Sequence, residues 1–326
     1  MVKRPLKIAI CGFGRFAERR IIPALEKTSK IELVAVIDRG SRASKLPKNI
    51  LRFKSFDEML KSTLIDCVYI ATPNYLHAPQ AIECLKNGLH VLCEKPMAIN
   101  KSDCSQMIDA AIKFNVQLSI GHMLRFSPAI IKVRDLMNIG TLGKINSLEL
   151  FFNYDIKFTE RSWAKSKNNS GGGVLMDAGV HCIDTIQFLL DSDIKLKNVK
   201  MFNIDNNKIE QGIKSTFEAG DTHCLIEVNS NKDYSSCMVI NSENGRLKLE
   251  NFASTDSKGL INFTSIRENV KNQSFTIDVA NTYLNQIENF ANTITSGKTD
   301  LKSAEQAEKA IELIETIYAK QNLSST

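Results

Sequence analysis

Residues 6–25 read LKIAICGFGRFAERRIIPAL, and they give the clearest indication of the fold. Its first six residues are almost all apolar, which is typical of a buried strand, and Ile21, Ile22 and Leu25 follow at helical spacing. Between strand and helix lies a short segment, residues 12–17, in which small residues recur as G-x-G-x-x-A. A strand, a glycine-rich turn and a helix in this order predict the start of a doubly wound α/β fold.

The spacing of these small residues has a chemical reason. Gly12 permits a tight turn, Gly14 lets a pyrophosphate approach the backbone, and Ala17 keeps the helix close to the strand. The start of the helix adds N–H groups and a positive dipole end. We therefore expect a dinucleotide to bind at this turn, and the alternative is a plain surface turn. The predicted cofactor-binding residues are Gly12, Phe13, Gly14, Arg15 and Phe16.

The end of the second predicted strand supplies an acid, Asp38, which stands 24 residues after Gly14. A carboxylate there can accept hydrogen bonds from both hydroxyls of an adenosine ribose, and a helix-capping role is the alternative. Asp38 would repel a 2′-phosphate, whereas Arg39 and Arg42 would attract one. We count Asp38 and Arg39 as cofactor-binding residues and favour NAD slightly over NADP.

The first 120 residues continue this alternation of strand and helix. Runs that are apolar on both faces, as strands covered by helices must be, occur at residues 6–11, 32–37, 65–71, 89–93 and 116–120. Helical patterns lie between them, at residues 79–87 and 102–114 and after Ser55, which has capping-box spacing to Glu58. We predict a dinucleotide-binding Rossmann domain with a parallel sheet over residues 1–121.

The pattern changes after Gly121. Helices are predicted at residues 128–138 and 174–190, a strand at 145–154, and short alternating segments dominate from about 195 to 280. Within these, Ser242-Glu-Asn-Gly245 predicts a hairpin turn, and two amphipathic helices close the chain. Residues 122–326 are therefore predicted to form a second α/β domain with a large, mainly antiparallel open sheet.

Composition excludes several classes of protein. At 43% hydrophobic and 24% charged residues, the chain is typical of a soluble globular protein, and we see no stretch of about 18 uncharged apolar residues that could cross a membrane. The net charge of +6 comes without aromatic-interleaved basic runs, so no nucleic-acid partner is expected. The eight cysteines include no C-x-x-C pair, which indicates buried thiols in a reducing compartment, the cytoplasm.

The predicted helix over residues 174–190 carries a polar set on one face. At about 100° per residue, Asp177, His181 and Asp184 fall within an arc of about 60°. Three interpretations are open: a solvated face, a metal site shared by the three side chains, or acid–base catalysis. The glycines at 171–173 just upstream would allow the backbone to approach a ligand closely.

Four motifs in order resemble the Gfo/Idh/MocA family, the family of glucose–fructose oxidoreductase and inositol dehydrogenase. They are GFGRFA at 12–17, ATPNYLH at 71–77, EKP at 94–96 and GGGVLMDAGVHCID at 171–184. After about residue 195 the resemblance is one of architecture only. It implies that Lys95 is a catalytic residue at the reacting carbon, that the Lys95–Pro96 bond is cis, and that Asp177 and His181 join Lys95 at the substrate.

The resemblance also implies where cofactor and substrate bind. Glu94 and Lys95 are expected beside the nicotinamide and its ribose, and the loop after the strand at 65–71 contacts the dinucleotide through Thr72, Pro73, Asn74 and His77. For His77, a helix-capping or solvated position is the alternative. In the second domain the candidate substrate residues are Arg125, Arg161, Trp163, Asp177 and His181. For the first three, a packing or surface role is the alternative.

The expected function follows from these residues. The resemblance implies an NAD(P)-dependent oxidoreductase that acts, without a metal, on a secondary alcohol or ketone of a sugar, cyclic polyol or nucleotide-linked sugar. It also implies a homodimer or homotetramer that pairs through the second domain's sheet. Two alternatives are a non-catalytic sensor that binds the dinucleotide, and an enzyme that cycles a tightly bound NAD without net redox change.

Overall fold

The computed structural model describes residues 4–37, 46–155, 161–207, 209–255, 258–266 and 271–323. The chain forms two compact units, the first from residues 1–121 and 283–311 and the second from 122–282 and 312–326. The first unit ends at Gly121 and takes up the chain again at Tyr283–Ile311, so it is formed from two separate stretches of sequence. The reason is packing, because Ile287, Phe290 and Ala291 belong to the hydrophobic core of the first unit.

The first unit is built on a six-stranded sheet in which every neighbouring pair is parallel. The strand order β3-β2-β1-β4-β5-β6 is that of a Rossmann fold, as predicted. The sequence patterns missed β3, which has three residues, two of them exposed. The strands are β1 (Leu6–Cys11), β2 (Ile31–Ile37), β3 (Leu51–Phe53), β4 (Cys67–Ile70), β5 (His90–Cys93) and β6 (Leu118–Ile120).

Helices connect these strands and begin at identifiable residues. A π-helical turn (Ala17–Ile21) leads into α1 (Ile22–Leu25). The predicted cap is confirmed at α2 (Phe56–Leu60), where Ser55 Oγ accepts the Glu58 N–H at 3.1 Å. The remaining helices that pack in this unit are α3 (Asn74–Lys86), α4 (Lys101–Phe114), α8 (Thr282–Thr295) and the first half of α9 (Lys302–Leu323). The prediction placed the start of α3 five residues too late, because Pro79 lies inside the helix rather than at its first turn.

The second unit is built on an eight-stranded sheet in the order β14-β13-β12-β11-β7-β10-β9-β8. Every neighbouring pair is antiparallel except β7 and β10, so the prediction of a mainly antiparallel sheet is confirmed. The predicted hairpin is also present, and Glu243 and Asn244 connect its strands. The strands are β7 (Ile145–Asp155), β8 (Ile194–Ile204), β9 (Glu210–Ala219), β10 (Thr222–Asn229), β11 (Asn231–Ser242), β12 (Gly245–Glu250), β13 (Lys258–Ser265) and β14 (Gln273–Asp278).

Helical segments of the second unit connect β6 to β7 and β7 to β8. They include α5 (Pro128–Asn138), which has the predicted bounds, and the short α6 (Lys167–Ser170). The predicted helix over residues 174–190 is regular only in its second part, α7 (Val180–Leu190), because Leu175–Gly179 forms a π-helical turn. A constant 100° per residue therefore does not describe the segment that holds Asp177.

The structure bears on two predictions from composition, the state of the cysteines and the absence of a stretch that could cross a membrane. All eight cysteines are free thiols, and all but Cys237 are buried, as the packing interpretation required. Among the described residues, the stretch Lys167–Leu190 is long and apolar enough by composition to cross a membrane, which the sequence analysis did not recognise. Since 78% of its apolar window is buried inside the protein, it has the character of a core helix.

Candidate active site

The glycine turn after β1 is shaped by backbone crowding on one side and open space on the other. Gly12 has φ +91°, and a Cβ there would lie 2.6 Å from the carbonyl oxygen of Ala71. A Cβ on Gly14 would meet nothing within 4 Å. The turn is therefore tight at Gly12 and has room for a ligand at Gly14, which fits a pyrophosphate.

The other residues of this turn divide by exposure. Phe13 packs in the core of the first unit, so its side chain is not available to a ligand, and its N–H donates to the Ile37 carbonyl at 3.3 Å. Arg15 and Phe16 are exposed, and the Phe16 ring meets Tyr283 edge-on at 5.7 Å. The proposed ribose and phosphate contacts, Asp38 and Arg39, lie outside the described residues.

The loop after β4 lies beside the loop after β1, because β1 and β4 are neighbours at the point where the strand order reverses. Ligands of open α/β sheets bind at this point, beyond the carboxyl ends of the strands. The Thr72 hydroxyl donates to Gln80 Oε1 at 2.7 Å, Pro73 precedes α3, and Asn74 is buried at its first position. Thr72, Pro73 and Asn74 thus lie beyond the carboxyl ends of the strands, beside the glycine turn.

His77 has a different environment from the one expected. Only 1% of the residue is exposed, and its Nδ1 lies 2.7 Å from the Pro96 carbonyl oxygen and its Nε2 2.9 Å from that of Thr72. A solvated or capping position is therefore wrong, and both ring nitrogens are used inside the protein rather than on a cofactor. Burial is the main cause that lowers the pKa of His77, and the charge of Lys95 adds to it, while the two carbonyls oppose it.

The segment after β5 places two ionisable side chains at the same edge of the sheet. Glu94 accepts the Tyr69 hydroxyl through Oε1 and the Lys95 N–H through Oε2, the latter at 3.2 Å. Burial raises the pKa of Glu94, although the hydrogen bond from Tyr69 and the charge of Lys95 oppose the rise. The Lys95–Pro96 bond is cis, as the resemblance implied.

Sequence reasoning missed Tyr69. It lies fully buried in the otherwise aliphatic strand β4, and a buried tyrosine hydroxyl needs a hydrogen-bond partner. A tyrosine within an apolar strand therefore predicts a hydrogen-bond partner nearby, which in this structure is Glu94.

In the second unit, Asp177 is the centre of a compact polar cluster. Arg161 donates to both carboxylate oxygens, at 3.0 and 2.7 Å, and the Tyr154 hydroxyl donates at 3.1 Å. The Asp177 carboxylate raises the pKa of Arg161, and burial raises that of Tyr154. The Arg161 guanidinium also lies 5.8 Å from the centre of the Trp163 ring. The structure thus joins three of the predicted residues, and adds Tyr154, which the sequence analysis did not consider.

Asp184 belongs to a second, more deeply buried cluster. Arg125 donates to it with Nη2 at 2.6 Å and Nε at 3.0 Å, and His122 Nδ1 lies 3.6 Å away. The Arg125 guanidinium is bound to a carboxylate that is 1% exposed, which favours the packing role over a contact with the substrate. The physical reason is that a buried arginine requires a buried anion.

His181 lies on α7 between these two acids. It is 6% exposed, and its ring meets that of His122 edge-on with centres 6.4 Å apart. A solvated face for this helix is therefore wrong. Within the described residues no three His, Cys, Asp or Glu side chains are arranged to hold a metal ion together, and the two acids are bound to different arginines.

The three consecutive glycines pack against the protein itself. A Cβ on Gly172 would collide with the Tyr318 hydroxyl, and one on Gly173 with the Glu210 backbone. Glu210 caps the following turn by accepting the N–H groups of Gly173 and Leu175, each at 3.1 Å, and the Tyr318 hydroxyl at 2.8 Å. At Gly172 and Gly173 these close contacts, rather than a ligand, require glycine.

Comparison with known proteins agrees with the two halves of this description. Residues 6–122 match a family described as an oxidoreductase family with an NAD-binding Rossmann fold, and residues 130–248 match the GFO/IDH/MocA C-terminal domain. The chain belongs to the GFO/IDH/MocA family.

Curated GFO/IDH/MocA relatives match over part of their length. A 2,7-anhydro-N-acetylneuraminate hydratase of Escherichia coli is 33% identical over 57% of this chain and 50% of its own. A glucose-6-phosphate 3-dehydrogenase of Bacillus subtilis is 34% identical over 60% of this chain and 56% of its own. The matched regions thus span about half the length of these relatives.

Solved structures show the same fold over almost the whole chain. The 3-ketoreductase KijD10 of Actinomadura kijaniata, in complex with NADP and TDP-benzene, has a TM-score of 0.88 at 20% identity and covers 97% of both chains. An aldose-aldose oxidoreductase of Caulobacter crescentus has a TM-score of 0.85 at 23% identity, again over 97% of both. At these identities the likeness concerns the fold.

Proposed function

We propose that this protein is an NAD(P)-dependent oxidoreductase that transfers a hydride between nicotinamide and a secondary alcohol or ketone of a sugar, cyclic polyol or nucleotide-linked sugar. The observation that carries the proposal is the position of Lys95, two residues after β5, beyond the carboxyl ends of the strands, where the glycine turn after β1 also lies. The names of relatives that act on sugars support the substrate class.

The first unit would hold the cofactor. The pyrophosphate would lie over Gly14, where the backbone is open, with Arg15 and Phe16 beside it. The neighbouring loop would contact the dinucleotide through Thr72, Pro73 and Asn74. Glu94 would contact the nicotinamide ribose. When bound, the nicotinamide supplies the carbon that accepts or gives the hydride.

The protein's own side chains would handle the proton and the charge. We propose that His181 takes the proton from the substrate hydroxyl during oxidation and returns it during reduction. Lys95 would donate a hydrogen bond to the same oxygen and stabilise its developing negative charge. Asp177, held by Arg161 and Tyr154, would bind a neighbouring hydroxyl.

The pairing of Arg161 with Asp177 bears on the substrate. An arginine without a carboxylate partner at this position would suit a carboxylate or phosphate of the substrate. The two terminal nitrogens of Arg161 are already bound to Asp177, so the cluster as a whole offers both donors and acceptors with no net charge. Such a set suits sugar hydroxyls, and Trp163 beside it suits the apolar face of a sugar ring.

The test is a screen for turnover. Purified protein is mixed with NAD or NADP and a panel of sugars, polyols and nucleotide sugars, and the reduced-nicotinamide absorbance is followed. Lys95→Ala should lower turnover by orders of magnitude and leave cofactor affinity nearly unchanged, while Lys86→Ala, an exposed lysine of the same unit, should change neither. Normal turnover in Lys95→Ala would refute its assigned role.

A second candidate is an enzyme that cycles a tightly bound NAD. It is favoured by the hydratase name of one relative, since adding water to a substrate changes no net oxidation state. Such an enzyme would keep its cofactor through purification and would convert substrate without net absorbance change. A non-catalytic sensor, by contrast, would bind cofactor and convert no substrate under either assay.

We further propose a cytoplasmic homodimer or homotetramer that pairs through the open face of the eight-stranded sheet. The eight free thiols support a reducing compartment. Light scattering during gel filtration measures the oligomer size, and a monomer at micromolar concentration would exclude the proposed pairing.

A further inference from the structure

His77 connects two loops of the first unit through the two ends of one ring. It lies in the first turn of α3, is 1% exposed, and has a backbone carbonyl oxygen within 2.9 Å of each ring nitrogen. Side chains that link two loops in this way restrict the motion of both.

The Nε2 end contacts the loop that adjoins the glycine turn. Its partner is the carbonyl of Thr72, and the preceding residue, Ala71, donates its N–H to the Cys11 carbonyl at 2.8 Å. The Ala71 carbonyl also occupies the space that a side chain at Gly12 would need. This loop is thus fixed by several contacts besides the one from His77, including the Thr72–Gln80 hydrogen bond.

The Nδ1 end contacts the segment that carries Lys95. Its partner is the carbonyl of Pro96, which follows Lys95 directly, and this is the shorter of the two distances at 2.7 Å. Pro96 is buried whereas Lys95 is partly exposed, so the hydrogen bond lies at the buried end of this segment. A hydrogen bond to the Pro96 carbonyl therefore restricts the backbone from which Lys95 extends.

Both partners are carbonyl oxygens, which accept hydrogen bonds and never donate them. The ring makes both hydrogen bonds only when each nitrogen carries a proton, and a neutral ring makes one. A hydrogen bond to the Pro96 carbonyl therefore requires a proton on Nδ1, whether the ring is neutral or charged.

From this geometry we propose that His77 is a positioning residue for Lys95: its Nδ1–H donates to the Pro96 carbonyl and sets the direction of the lysine, while Nε2 lies beside the Thr72 carbonyl. The proposal rests on the proposed function for its kinetic readout. It differs from the expectation that His77 binds the cofactor itself.

Two substitutions separate the two ends of the ring. An asparagine amide reaches about the position of Nδ1 and a glutamine amide about that of Nε2, so His77→Asn can keep the Pro96 hydrogen bond and His77→Gln the Thr72 one. We expect His77→Asn to keep kcat within about 3-fold of the unsubstituted protein. His77→Gln should lose about 100-fold in kcat, since a misplaced catalytic group has a cost of that size. Both should bind NAD(P)H with nearly unchanged Kd.

The matched control is His90→Leu. His90 lies at the other end of β5, and its Nδ1 accepts the Gln117 N–H at 2.9 Å, so the substitution removes a histidine hydrogen bond far along the strand from Lys95. It should lower the melting temperature and leave kcat unchanged. Equal kcat losses in the two His77 variants, or losses that appear in Kd instead of kcat, would overturn the proposal.

Two further measurements keep the test independent of turnover and of variant folding. If the unsubstituted protein converts no sugar, the proposed function fails, and the rate at which acetic anhydride labels Lys95, measured by mass spectrometry, replaces kcat. A changed rate in His77→Gln alone supports positioning, and equal rates in all proteins overturn it. In the unsubstituted protein, the ¹⁵N shifts of the His77 ring must show a protonated Nδ1, and an unprotonated Nδ1 would also overturn the proposal.

Discussion

Asp177 and Asp184 lie on the same helical run and each binds an arginine, yet the two ion pairs differ in burial. The Arg161–Asp177 pair has side chains 35% and 25% exposed, whereas those of the Arg125–Asp184 pair are 9% and 1% exposed. Asp177 stands in the π-helical turn and Asp184 in the regular helix that follows. One pair is accessible to a ligand and the other is part of the core.

Spacing along a helix therefore does not by itself assign a role to an acidic residue. A buried pair is expected to matter chiefly for stability, because breaking it leaves a charge in a region without water. A partly exposed pair contributes little to stability and is free to exchange partners with a substrate. Irregular helical turns of the π type are frequent at functional sites, which agrees with the position of Asp177.

The largest expected effect concerns His181, which lies between the two acids. His181→Ala should lower kcat by about 1,000-fold, because a positioned general base contributes about 10²–10⁴-fold. Steady-state kinetics with the substrate found in the screen measures this, and cofactor titration verifies folding. His223→Ala, an exposed histidine on β10, is the control and should leave kcat unchanged. Equal rates for both variants would remove His181 from the mechanism.

The two acids should give opposite results when each is neutralised. Asp184→Asn should cost about 3–5 kcal/mol of unfolding free energy, since Arg125 is left as a buried unpaired charge. Asp177→Asn should cost less than about 1 kcal/mol but lower kcat markedly. Urea unfolding and kinetics on both variants make the comparison. Similar losses of unfolding free energy in Asp177→Asn and Asp184→Asn would show that the difference in burial does not affect stability.

The glycines upstream of Asp177 provide a packing test. Gly172→Ala should cost about 1–3 kcal/mol, because its methyl group would collide with the Tyr318 hydroxyl. Tyr318→Phe removes that oxygen, so the double variant should lose less than the sum of the single losses. Thermal unfolding of the four proteins gives the coupling, and strict additivity would contradict the contact.

The smallest effect is a pH dependence at Glu94 in the first unit. Burial raises its pKa, so the folded protein holds this proton more tightly than the unfolded chain. The resulting stability is complete below the ordinary pKa of about 4.3 and is lost as pH rises through the raised value. Glu94→Gln should remove this decline, which is at most about 1.4 kcal/mol per pH unit. Unfolding curves across that range check it, and identical slopes would contradict the buried, raised state.

The first unit was more predictable from sequence than the second. The bounds of β1 matched, and the parallel sheet followed from the alternation of strands with helices, because buried parallel strands are continuously apolar and the glycine motif has fixed geometry. The strand β3 was missed because three residues, two of them exposed, carry no apolar pattern. The unit's share of α8 was missed because periodicity shows which face of a helix is buried but not what covers it.

The candidate site was only partly predictable for a similar reason. Motifs identified Lys95, Asp177 and His181, but not the partners that hold such groups. Arg125 and Asp184 are 59 residues apart in sequence, and Tyr69 and Glu94 are 25 apart. Pairings over such distances depend on tertiary structure and leave no local pattern.

The single parallel pairing in the eight-stranded sheet has a topological consequence. Strands β7 and β10 run in the same direction, so the chain cannot join them by a tight turn and must cross over one face of the sheet first. That excursion includes the segment from Arg161 to Leu190, and the chain then re-enters the sheet at its far edge as β8. Residues can be gained or lost in the excursion without shifting the register of any ladder. If the substrate binds to this connection as proposed, its specificity can be changed there while the sheet stays the same.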